Sequence, residues 1–180
     1  RLTLMRDLLS ERGSIYVHLG IQVNHLIRLI MEEIFGKENE IEEIIWSYGT
    51  PSGGRAAGNK IIKAHEYIVA YAKSYGNHIF NKIYLPYSEK YINERFTFVD
   101  ESGRRYRVRT RGQGVVERQY LDESPGVPLS SVWTDIKQTY AMHLMKRAQE
   151  ETGFFTQKPE ALLERIIKAS SNEGDLVADF

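Results

Sequence analysis

Four arginines, Arg105, Arg107, Arg109 and Arg111, alternate with Tyr106, Val108 and Thr110. Period-two spacing puts all four guanidiniums on one face of a strand. A row of like charges repels itself unless something anionic faces it. Phosphate is the natural partner, because a guanidinium offers it a planar fork of donors. A strand edge kept in solvent by its charge is the competing reading. Arg104 is out of phase with the row.

A second constellation lies near the C-terminus. Thr156-Gln157-Lys158-Pro159 precedes a periodic apolar run, so it reads as a helix start, with Pro159 in a first turn where a missing N–H costs nothing. Such a terminus offers N–H groups and partial positive charge to a carboxylate, although an ordinary helix start looks the same. The residues after Gly174 read as a short buried strand ending on Asp179, with Phe180 next. Open α/β sheets place ligands at strand C-termini; alternatively, Asp179 begins a turn.

Other motifs carry less. The loop with Gly53, Gly54, Arg55 and Gly58 lacks Gly-x-x-x-x-Gly-Lys-Ser/Thr, so it is not a phosphate cradle of that kind. The five histidines are scattered, without a His-x-x-x-His pair, and predict no metal site. His18, at the end of a strand, reads as structural or as pocket-lining. With no cysteine in the chain, disulfides, thiolate zinc sites and cysteine nucleophiles are all excluded.

The elements that position these groups are of α/β type. Leu2, Met5, Leu8 and Leu9 predict a helix over 1–11. Ser14–Leu19 is a near-continuous apolar run, suited to a strand buried on both faces as in a parallel sheet. Val23, Leu26, Ile27, Ile30, Met31, Ile34 and Phe35 give the strongest helical period, stopped by Gly36. Strand-like stretches follow at 43–48 and 67–72. Past about Ser74, residues 96–110 read as a β-hairpin and the glycines and prolines of 112–131 as loop. Leu162, Leu163, Ile166, Ile167 and Ala169 stripe the last helix, Glu164 and Lys168 pair along it, and Gly174 stops it. The expected division is 1–74 and 151–180 as parts of one α/β core, with 75–150 inserted.

Composition sets outer bounds. The chain has 180 residues and equal numbers of basic and acidic side chains, 24 of each, so any nucleic-acid surface must arise from local clustering. No apolar run reaches the roughly 20 residues a membrane span needs. The expectation is a cytoplasmic protein cut at both ends, since it starts at Arg1 inside an amphipathic helix.

The segment from Thr156 to Phe180 resembles, as a string, the part of the DNA amino-methyltransferases (N6-adenine and N4-cytosine, in the permuted β order) that leads into the S-adenosylmethionine loop. The likeness is nearest to modification subunits of type III restriction systems. Gly13-Ser-Ile-Tyr-Val-His18, Asn24-His25, Met31-Glu-Glu-Ile-Phe-Gly36, Glu43-Ile-Ile-Trp46, His65-Glu-Tyr-Ile68, Tyr71-Ala-Lys-Ser74 and Val132-Trp-Thr-Asp-Ile136 extend it over most of the chain.

The resemblance implies a Rossmann-like S-adenosylmethionine-dependent methyltransferase sheet, present in part, with a β-containing target-recognition region inserted. It implies S-adenosylmethionine as cofactor, held by Thr156, Gln157, Lys158, Pro159, Asp179 and Phe180. Double-stranded DNA would lie along the arginine row, with Arg55 beside an extruded base. A restriction subunit and a second methyltransferase copy are the implied protein partners. The family's catalytic Asp/Asn/Ser-Pro-Pro-aromatic motif and its glycine loop do not occur in these residues, so no catalytic residue is assigned and the 180 residues alone are expected to be inactive. A silent DNA-binding module, or a relative acting on RNA or a small molecule, are the competing functions.

Overall fold

The computed structural model describes residues 1–49, 59, 61–138 and 157–180. In chain order the elements are α1 (Leu2–Leu8), β1 (Ser14–Leu19), α2 (Asn24–Phe35), a 3-10 turn (Lys37–Asn39), β2 (Glu40–Ser47), β3 (His65–Ala72), β4 (Tyr84–Leu85), α3 (Glu89–Arg95), β5 (Phe98–Val99), β6 (Arg105–Thr110), a 3-10 turn (Gly112–Gly114), β7 (Val116–Tyr120), β8 (Val127–Pro128), β9 (Val132–Trp133) and α4 (Glu160–Ser170). They form two compact units, one of Arg1–Asn81 with Ser130–Phe180 and one of Lys82–Leu129.

The larger unit is built on a sheet of order β1-β3-β2-β9. Alternation sorts its side chains onto two faces. Leu19, Val69 and Tyr71 meet Met31 and Phe35 of α2, with Leu2, Leu9, Ile15 and Val17 packed around them. Tyr16, on the opposite face of β1, has its phenol's pKa raised by burial, with Ser170 of α4 near enough to offset part of the rise. The Trp46 indole on β2 donates to the Ile136 carbonyl at 2.9 Å.

The sheet corrects one expectation. β3 runs antiparallel to both β1 and β2, and among the described residues only β2 and β9 pair in parallel. β1 also stands at the sheet edge with only Leu19 of its six residues buried, so its continuous apolar run overstates its burial and says nothing about the direction of its neighbour.

The C-terminus differs too. α4 ends at Ser170, ahead of Gly174, which sits instead in a turn at φ +89°. Residues 175–180 pair with no strand among the described residues and lie in solvent, with Leu176 98% and Phe180 81% exposed. Asp179 therefore does not end a strand here. An apolar pentapeptide has strand propensity, but a strand needs a neighbour to take its N–H and C=O groups.

The smaller unit holds a two-stranded sheet, β4 with β8, and a three-stranded antiparallel sheet of order β5-β6-β7. Gly126 stands at φ +113° where a Cβ would come within 2.2 Å of the Leu85 carbonyl, so only glycine fits between β4 and β8. Ser88 caps α3 by accepting from the Tyr91 N–H at 3.2 Å. Val116–Tyr120, read from the sequence as loop, is the third strand: it pairs with β6 from Tyr106↔Tyr120 to Thr110↔Val116. Flanking glycines and prolines hid it, and its partner lies across a turn rather than in the same window.

Candidate cofactor and nucleic-acid surfaces

Gln157 and Lys158 stand half-buried before the buried Pro159, which caps α4 without a side-chain hydrogen bond. The Leu162 N–H turns back to the Pro159 carbonyl at 3.0 Å. Asp179 and Phe180 follow the far end of the same helix. Thr156 and Arg55, with Gly53, Gly54 and Gly58, lie outside the described residues.

α4 is held firmly along its length. Arg165 stacks over Trp133 at 5.1 Å and forks onto Asp135, with Nη1 2.9 Å from Oδ1. Its guanidinium holds the Asp135 carboxyl below the usual carboxylate range. At the other terminus the Asn81 side-chain amide donates to the carbonyls of Lys168 and Ser171 at 3.1 and 2.9 Å, while its backbone N–H reaches Ala169. These are carbonyls that a helix end cannot satisfy by itself.

His18 sits on the α4 side of the sheet, its Nε2 2.7 Å from a Glu66 carboxylate oxygen and its ring edge-on to Trp46 at 5.8 Å. A histidine with a carboxylate on one side and an indole on the other fits the structural reading.

In the smaller unit the arginine row does share one face of β6, as its period requires, but α3 occupies part of that face. Arg105 donates to the carbonyls of Phe96 and Ile92 and to Asn93. Arg107 lies among Tyr87, Tyr91 and Phe96, 5.1 Å from the Phe96 ring centre, and bonds Gln119 and the Tyr91 hydroxyl. Gln119 then donates to Ser124, which also bonds Tyr87. Farther along, Arg109 keeps only a long 3.3 Å contact to Gln119. Arg111 pairs with Glu117 at 2.7 Å while remaining 71% exposed. Arg105 and Arg107 are thus half-buried, and Arg109 and Arg111 exposed.

Arg104, out of phase, forks onto Asp122, reaches Glu123 and stacks on Tyr120 at 4.1 Å. Sequence reasoning missed Arg118, on the same face as Arg104, over the Tyr106 ring at 4.9 Å. Its only signal was a single arginine inside a segment read as loop.

The family now follows from comparison. Residues 1–180 match the DNA methylase family of N6 and N4 methyltransferases along the whole chain, and this chain belongs to that family. It is 22% identical to the type II methyltransferase M.EcaI of Enterobacter cloacae over 99% of its length and 48% of that protein. It is 30% identical to the DNA adenine methyltransferase YhdJ of Escherichia coli K12 over 95% of its length and 49% of that protein. A shorter match, 41% of this chain at 30% identity, links it to 11% of the Mod subunit of the type III restriction-modification enzyme EcoP15I of Escherichia coli. The chain spans about half the length of the first of these relatives and less than half of several others. Among the described residues no helix is long and apolar enough to cross a membrane.

Proposed function

We propose that the chain works within a site-specific DNA methyltransferase that moves a methyl group from S-adenosylmethionine to the exocyclic amine of a flipped base, adenine N6 in preference to cytosine N4. The observation that carries this reading is the family match over all 180 residues; the adenine preference is supported by the likeness to YhdJ. The sheet of the larger unit then forms part of a Rossmann-like methyltransferase sheet, and the smaller unit is the target-recognition region. The protein acts in the cytoplasm on double-stranded DNA, and the Mod-subunit relatives suggest a restriction subunit and a second methyltransferase copy as partners.

The α4 terminus fits the amino-acid end of the cofactor: a cation at Lys158, an amide at Gln157 and a cap without a side-chain bond form a donor set for a carboxylate. Thr156 and Pro159 belong to the same proposed end, whereas Asp179 and Phe180, exposed past the far end of α4, are not brought to it. S-adenosylmethionine supplies an electrophilic methyl on its sulfonium. This chain's residues bind and orient: Lys158 neutralises the carboxylate, and the Arg165 clamp on Trp133 and Asp135 fixes the helix that follows Lys158. Extruding the base from the duplex brings its amine within reach. The amine-holding Pro-Pro motif is not among these residues, so the step itself is assigned to none of them.

Methyl incorporation from labelled S-adenosylmethionine into mixed-sequence duplex DNA tests this. A full-length protein containing these residues should label duplex DNA, and the 180 residues alone should not. A full-length protein that labels RNA or a small molecule and leaves DNA untouched overturns the reading.

A further inference from the structure

The β6–β7 ribbon is electrically polarised along its length. Its root carries Asp100, Asp122 and Glu123 around Arg104, with the Asp100 and Asp122 carboxyls held low by their hydrogen bonds to Arg104. Its outer half carries Arg109 and Arg111 against the single acid Glu117, which pairs with Arg111. The two arginines nearest the root are spent on α3 and its aromatic neighbours. Beyond them the ribbon stands clear: Val108, Arg109, Thr110, Val115 and Val116 are all exposed. The turn closes through Gly114 at φ +75°, and a Cβ there or at Gly112 would meet nothing.

A polyanion lying along the whole strand would meet carboxylates at one end, and Arg107 is not available to it. One approaching the tip meets cations and two adjacent valines. A two-stranded ribbon is also a shape that the major groove of B-DNA admits, and the tip's apolar pair suits thymine methyl groups there. Exposed valines at a turn flanked by arginines have no folding role that the smaller unit shows.

We propose that the tip of the β6–β7 ribbon enters the major groove of duplex DNA end-on, with Arg109 and Arg111 as its cations and Val115 and Val116 as its apolar contacts. This rests on the DNA reading above and makes the tip, rather than the four-arginine row, the surface that meets the duplex.

The experiment uses all 180 residues and a duplex pool with a randomised centre, measuring affinity against salt and sequencing the bound fraction. Arg109→Ala with Arg111→Ala should make the log–log salt slope shallower by about 0.9 for each phosphate no longer neutralised. If either arginine reads guanine, preference at one position should fall by roughly five- to a hundredfold. Val115→Ser with Val116→Ser should flatten preference at an A·T position and leave the slope alone, since no charge changes. Arg104→Ala, at the root, should alter neither. Both tip variants change exposed side chains only, and an unchanged circular dichroism spectrum verifies folding. If the unaltered chain binds the pool and both tip variants bind with its slope and its preference, the tip assignment is overturned while the DNA reading stands. If the unaltered chain binds no duplex even at low salt, the DNA reading falls and takes the tip with it.

Discussion

The ammonium of Lys73 lies 2.7 Å from the carbonyl oxygen of Arg6 and 3.2 Å from that of Leu9. A residue just past the end of β3 therefore closes the C-terminus of α1, where carbonyls lack helical partners and the helix dipole is negative. The adjoining backbone ties the end of β3 to the start of β1, with the Lys73 N–H donating to the Gly13 carbonyl at 2.9 Å. Lys73→Met keeps the aliphatic stem and removes the charge. It should cost about 1–2 kcal/mol of stability, read as a lower urea midpoint. A midpoint equal to that of the unaltered chain would make the contact incidental.

Arg107 and Arg109 should separate sharply although they stand two residues apart. Arg107→Ala empties a cage of three rings and removes the shorter of the two arginine contacts to the Gln119 oxygen, costing about 2 kcal/mol. Arg109→Ala should stay within roughly 0.5 kcal/mol and act on DNA affinity instead. Thermal unfolding beside a duplex-binding assay checks both. Equal effects in the two assays would return the four arginines to a single functional row.

Alkaline pH should loosen the larger unit through Tyr71. Its burial, with the Glu40 and Glu32 carboxylates nearby, pushes the phenol up to about 12. The folded state thus keeps a proton that the unfolded chain releases near 10, so stability is complete below pH 10 and falls as pH rises toward 12. Tyr71→Phe should flatten that decline in denaturation curves taken between pH 9 and about 12. The same slope in the variant would assign the decline to other groups.

In a full-length protein containing this chain, Lys158→Ala should weaken S-adenosylmethionine binding about tenfold, near 1–2 kcal/mol for one charge-assisted contact. Duplex affinity should change little. Calorimetry with the cofactor, beside a gel shift with DNA, distinguishes the two. Unchanged cofactor affinity would leave Gln157–Pro159 as a helix start and nothing more.

What could be read from the sequence was local. The period of α2 fixes the helix, and Met31 and Phe35 take the fully buried positions on its stripe, although Leu26 and Leu29 on the same helix stay exposed. The alternation over Arg105–Arg111 correctly placed those side chains on one face. What covers that face, the short α3, follows from contacts across turns that no spacing rule encodes. Strand direction failed for the same reason, since an apolar run at Ser14–Leu19 fits a parallel or an antiparallel neighbour equally. The tail at Leu176–Phe180 shows the converse case, in which propensity exists and no partner strand stands beside it among the described residues. Lys158 was legible as a residue before a helix, but what it binds was supplied by family likeness alone.

Both ends of the smaller unit leave from anchored residues. Asn81 is tied to the last turn of α4, and the Ser131 carbonyl accepts from the Ile45 N–H at 2.8 Å as the chain rejoins β2. A laboratory chimaera joined between Asn81 and Lys82 and between Leu129 and Ser130 therefore keeps both moorings, because neither the Asn81 amide nor the Ser131 carbonyl belongs to the exchanged stretch.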